Sequence, residues 1–91
     1  MTMNPEQREL FRMALLRVLE ANPSRFGLTA RALSHLIAVY GFLSPDGADL
    51  ENEVLYLSGK GLVTDVAREI SPENKAWRIT ASGRDYLARR G

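Results

Sequence analysis

The chain has 91 residues, 45% of them hydrophobic and 25% charged, which suits one small globular domain with one modest core and excludes disordered and fibrous classes. Twelve Lys and Arg against eleven Asp and Glu leave a net charge of +1, which alone argues neither for nor against a polyanionic partner. There is no cysteine, so disulfide staples, thiolate catalysis and cysteine metal sites are excluded.

The first predicted helix opens with Asn4 as N-cap, Pro5 at the first helical position and Gln7 placed to complete a capping box. Leu10, Phe11, Ala14, Leu15, Val18 and Leu19 recur at helical spacing as its apolar face, with Arg8, Glu9, Arg12 and Glu20 around the other side. Asn22-Pro23-Ser24 ends it. After the apolar link Phe26-Gly27-Leu28, Thr29 caps a second helix in which Leu33, Leu36, Ile37 and Tyr40 follow the helical period, and Gly41 terminates it. A third helix opens at Ser44-Pro45 or Asp46, buries Leu50, Val54 and Leu57, and closes at Ser58-Gly59.

The texture then changes. Leu62–Val66 and Ala76–Thr80 are rich in β-branched and aromatic residues and flank a turn-forming stretch, Ser71–Lys75, which predicts a β-hairpin. Thr80 caps a final helix containing Tyr86 and Leu87 and running into the basic tail Arg89-Arg90-Gly91. The expected class is α+β: a three-helix unit, a hairpin and a short C-terminal helix forming a single domain over residues 1–91.

Two sequence words stand out within this order. Val54-x-x-Leu57-x-x-x-Gly61-Leu62-Val63 carries a helix sharply into a strand, and Trp77-Arg78-Ile79-Thr80-x-x-Gly83-x-x-Tyr86-Leu87 carries a strand into a capped helix. Together they resemble the winged helix-turn-helix superfamily, particularly small bacterial transcriptional regulators of the PadR and MarR kind. The resemblance implies a third helix entering the major groove of DNA and a hairpin wing touching the phosphate backbone beside it.

On that layout Asp49, Asn52, Glu53 and Tyr56 share the outward face of the third helix. Asn52 and Tyr56 are the candidate base readers, while Arg68, Lys75 and Arg78 on or near the wing are candidate phosphate contacts, with Arg31 and Lys60 as auxiliaries. Charge points the other way. Between Ser44 and Ser58 the acids Asp46, Asp49, Glu51 and Glu53 stand without Lys or Arg, a local charge of −4, whereas the segment from Lys75 onward is +4. Since DNA affinity rests largely on basic groups displacing counterions, two readings stay open. One is a DNA-binding module acting on double-stranded DNA. The other is a winged helix that presents Asp49, Glu51, Glu53, Leu55 and Tyr56 to a basic protein partner.

Met13 and Leu16 lie on the otherwise polar side of the first helix and are candidate residues for a dimer interface. Homodimers of the regulators this chain resembles rely on additional helices, so the expectation is a monomer or a small, weak dimer. His35 is the one histidine, and the chain has no glycine-rich phosphate loop and no nucleophile with a neighbouring base, so no enzymatic activity, cofactor or metal is expected. Glu6, Arg8 and Glu9 stand where a signal peptide would be apolar, and the apolar run Leu36–Leu43 is far short of the roughly 20 residues of a spanning helix. A cytoplasmic protein with no membrane segment is expected.

Overall fold

The computed structural model of the chain describes residues 4–42, 47–66 and 75–90. The elements run α1 (Pro5–Ala21), β1 (Leu28–Thr29), α2 (Ala30–Leu36), a 3₁₀ turn (Ile37–Tyr40), α3 (Gly47–Gly59), β2 (Val63–Val66), β3 (Ala76–Ile79) and α4 (Ala81–Arg90). The three strands form one antiparallel sheet in the order β1-β3-β2, with Leu28 opposite Trp77 and Val63 opposite Ile79. This is an α+β winged helix-turn-helix, with the hairpin strands β2 and β3 in the position of the wing and α4 closing the domain.

Local chemistry fixes the helix starts. At α1 the capping box is complete: the Gln7 N–H donates to Asn4 Oδ1 at 2.8 Å, and the Asn4 N–H donates to Gln7 Oε1 at 3.2 Å. Thr29 caps α2 by accepting from the Ala32 N–H. The opening of the third helix at Ser44, Pro45 or Asp46 lies outside the described residues, as does the hairpin turn from Ser71 to Asn74. At the far end of α3 the Leu62 N–H bonds the Leu57 carbonyl and the Gly61 N–H bonds the Ser58 carbonyl, a paired closure with Gly61 at φ 76°. That left-handed residue turns the chain directly into β2.

The core is formed by Phe11, Leu15, Leu16 and Val18 of α1, Leu33 of α2, Ile37, Leu50, Val54 and Leu57 of α3, and Val63, Trp77, Ile79 and Leu87. Three expectations are corrected here. Leu10, assigned to the apolar face of α1, is 62% exposed, and Leu16, assigned to the polar side, is fully buried. The buried arc of the helix is centred near Leu15, so Leu16 falls at one rim and Leu10 beyond the other. Tyr40, placed in the helical period of α2, is 43% exposed, because the chain tightens to 3₁₀ geometry after Leu36 and the side-chain period changes with it. The link Phe26-Gly27-Leu28 also does more than connect, since Leu28 and Thr29 form the third strand on β3.

Gly83 sits where α4 crosses the start of β2. A Cβ there would lie 2.2 Å from the Leu62 carbonyl oxygen and 2.7 Å from Ile79 Cγ1, so no larger residue fits without moving backbone. Replacing Gly83 by Ala is expected to cost about 2 kcal/mol or more. Gly59→Ala, which meets open space, is expected to be neutral or to stabilise by up to about 1 kcal/mol. Urea unfolding followed by Trp77 fluorescence checks both, and equal effects at the two positions would contradict the packing of α4 on Leu62.

Candidate nucleic-acid interface

α3 buries more than its apolar stripe. Glu53 is only 7% exposed and lies three residues after Leu50 and four before Leu57, which puts it on the inward edge of the helix. The expectation that it shares the outward face with Asn52 and Tyr56 is therefore corrected, and with it Glu53 as a surface for a basic partner. The same holds across the contact. Arg8 and Arg12, expected on the polar side of α1, stand seven and three positions before Leu15 and continue the core stripe toward the helix N-terminus. Arg12 Nε donates to Glu53 Oε2 at 2.5 Å and Arg8 Nε lies 3.3 Å from Glu53 Oε1. One carboxylate is thus held by two guanidinium groups from a different helix, the pairing a buried charge requires.

Around this anchor the outward face of α3 takes shape. Tyr56 is 43% exposed, with the Arg12 guanidinium 3.7 Å from its ring centroid and Lys60 Nζ at 5.6 Å. Asn52 is exposed one turn earlier, and Glu51 and Leu55 are exposed on the neighbouring rows. Asp49 lies within α3, and Arg31 is exposed on α2. On the hairpin, Lys75 is exposed just before β3, and Arg78 is exposed in mid-strand opposite Thr64. Arg68 lies outside the described residues. The structure thus joins Tyr56, Lys60 and Arg12 in one group, with Asn52 nearby on the same helix, while Arg78 belongs to the sheet.

The local charge changes accordingly. Of the four acids counted on the third helix, Glu53 is offset by two arginines, Glu51 is exposed, and Asp46 and the side chain of Asp49 lie outside the description. Local sequence does not single out Arg8 and Arg12, because the carboxylate they share is far along the chain, 41 positions from Arg12. The signal that would have found them is their register with Leu15, matched by that of Glu53 with Leu50 and Leu57.

The dimer candidates divide. Leu16 is fully buried inside the domain and presents no surface, whereas Met13 is half-buried and lines a shallow cavity of about 440 Å³ with Leu10, Arg17, Tyr40 and Phe42. Trp77, 5% exposed, anchors β3 to the core as its size suggests. His35 is exposed near the end of α2. Among the described residues no helix is long and apolar enough to cross a membrane.

No protein-family model matches the chain, and no curated protein matches it. Solved structures do. The PcaV transcriptional regulator from Streptomyces coelicolor, in complex with its natural ligand, is 24% identical with a TM-score of 0.68, the match covering 97% of this chain and 52% of that one. MepR of S. aureus, in a complex with DNA, is 20% identical with a TM-score of 0.70 over 92% of this chain and 64% of that one. The transcriptional repressor CouR, bound to a 23-mer DNA duplex, is 20% identical with a TM-score of 0.67 over 97% of this chain and 52% of that one. A regulator described as of the MarR family is similar at 15% identity and a TM-score of 0.69, with 86% of this chain and 46% of that one covered. At these identities the likeness shows the fold, the winged helix found in MarR family regulators, and the chain spans between about half and two thirds of their length.

The two arginines holding Glu53 are unequal. The side chain of Arg12 is 19% exposed and that of Arg8 is 45%. Arg12→Ala is expected to destabilise the domain by about 1–3 kcal/mol, whereas Arg8→Ala should cost about 1 kcal/mol or less. In the Arg12→Ala background, Glu53→Gln should recover part of the loss, because it removes a charge left with one solvent-exposed partner. Chemical unfolding of these variants and of Glu53→Gln alone measures this, and additive effects of Arg12→Ala and Glu53→Gln would show that the two residues do not interact.

Proposed function

We propose that the chain is a non-enzymatic, DNA-binding winged helix acting in transcriptional control. α3 enters the major groove with Asn52 and Tyr56 at base edges, and Lys75, Arg78 and Arg68 contact backbone phosphates, with Arg31 and Lys60 as auxiliaries. Double-stranded DNA is the partner, consistent with the DNA complexes of MepR and CouR.

The observation that carries this reading is the double ion pair on Glu53. An insertion helix with several free carboxylates would repel phosphates, but here the innermost acid is offset by Arg8 and Arg12. Arg12 and Lys60 also lie over the Tyr56 ring, which places two cations beside a half-exposed aromatic on the proposed reading face. Asn offers the donor and acceptor pair that matches adenine in the major groove, and Tyr can donate to phosphate.

A second reading draws on Glu51 and Leu55, both exposed on α3 and Leu55 45% so, as the contact surface for a basic protein. The two diverge at Glu51. Under the DNA reading Glu51→Lys removes a repelling charge and strengthens duplex binding, whereas a basic partner would be lost.

Fluorescence anisotropy with mixed-sequence duplex DNA, repeated across a salt series, is the primary test. Binding is expected to weaken steeply with salt, and Lys75→Ala and Arg78→Ala are each expected to reduce the magnitude of the log–log salt slope by about 1. Asn52→Ala should weaken binding to a selected site by about 1–3 kcal/mol while leaving the salt slope nearly unchanged. Absence of salt-sensitive binding at low ionic strength would overturn the proposal.

A further inference from the structure

A second cluster of positive charge lies away from α3. The end of α1, the α1–β1 loop, β3 and the start of α4 enclose a cleft of about 240 Å³ whose lining includes Asn22, Ser24, Arg25, Trp77, Arg78 and Arg84. Three arginines line it and no acidic residue does, among the described residues. None of the three forms an ion pair with a described side chain.

Each arginine is placed by a structural constraint. Arg25 occupies a tight turn closed by the Gly27 N–H on the Ser24 carbonyl and by the Phe26 N–H on Ser24 Oγ. The turn is pressed onto β3, since a Cβ on Gly27 would lie 2.9 Å from both the backbone nitrogen and the carbonyl oxygen of Trp77. Ser24 Oγ accepts within this turn, so its hydroxyl hydrogen can be donated into the cleft. Arg78 projects from the central strand opposite an uncharged neighbour, Thr64. Arg84 stands in the first turn of α4, a turn with no acidic residue, at the end of the helix where the macrodipole disfavours a cation. Three exposed guanidinium groups with no carboxylate partner among the described residues line one concavity, one of them at the end of its helix where the dipole is also positive, and together they give the cleft a potential that suits an anion.

We propose that this cleft binds a phosphate group, held by Arg25, Arg78 and Arg84 with the Ser24 hydroxyl as an additional donor. Guanidinium forks pair two of their N–H groups with two phosphate oxygens, and several around one site suit a multiply charged anion. The volume is below the about 300–1,000 Å³ of drug-sized pockets, so a compact group fits and a large aromatic ligand does not. The phosphate belongs either to a DNA backbone or to a free phosphorylated small molecule. The site uses no residue of α3 and is independent of base reading there. Arg78 is common to both proposals, so Arg25 and Arg84 are the informative positions.

The test titrates the full chain with inorganic pyrophosphate and follows the backbone amide resonances of Gly27, Ile79 and Arg84. Saturable shifts at these positions are expected, and the Arg25→Ala/Arg84→Ala double variant is expected to weaken binding about tenfold or more. Lack of saturation in the millimolar range, or unchanged shifts in the double variant, would overturn the proposal. Duplex DNA identifies the source. If the cleft holds a backbone phosphate, the double variant binds duplex more weakly and pyrophosphate competes with duplex. If it holds a free phosphorylated molecule, pyrophosphate binding is lost while duplex affinity is unchanged. Loss of duplex binding in Asn52→Ala/Tyr56→Ala with pyrophosphate binding intact separates this site from α3.

Discussion

Four elements of the domain meet at the carbonyl of Leu62. It accepts the Thr80 N–H at 3.1 Å as β3 ends, and the glycine face of α4 lies against it at Gly83. One residue earlier, the Gly61 carbonyl accepts the Thr80 hydroxyl at 2.7 Å, while Thr80 Oγ1 also accepts the Gly83 N–H and so caps α4. The close of α3, the start of β2, the end of β3 and the first turn of α4 are therefore held by two adjacent peptide carbonyls and one hydroxyl. If this junction opened, the orientation of α3 relative to the hairpin would be lost, and a winged helix works through that orientation.

Most of this junction is legible in the sequence. Gly61 and Thr80 are a turning and a capping residue at the places where a helix must turn into a strand and a strand into a helix, whereas Gly83 stands in the same sequence word but owes its place to the approach of the Leu62 carbonyl, which only the fold shows. The short strand Leu28–Thr29 was not legible, because two residues show no alternation and its partner is about fifty residues away. Tyr40 was misplaced for a related reason: a change from α to 3₁₀ geometry alters the side-chain period without altering the residue types.

The functional face was only partly readable, and charge was the obstacle. Counting acids along α3 treats each carboxylate as free, yet Glu53 spends its charge on two arginines of α1. Long-range neutralisation of this kind leaves no trace in local composition, though register gives a hint: charged residues that fall on the buried stripe of both helices must meet partners there. The basic end of the chain is legible in the sequence as a total but not as a geometry. Arg78 and Arg84 lie in one segment, while Arg25 joins them from the loop after α1, so the cluster exists only once the sheet has formed.

The two terminal helices are also directly joined, since the Tyr86 hydroxyl donates to Glu9 Oε1 at 2.8 Å across 77 positions of sequence. Contacts this distant in sequence carry a high loop-closure cost. During synthesis α1 leaves the ribosome long before its partner on α4 exists, and Leu87 is likewise needed to cover the core. A chain lacking α4 would leave Leu87's place in the core uncovered, and that open apolar flank would be a signal for chaperones or proteases.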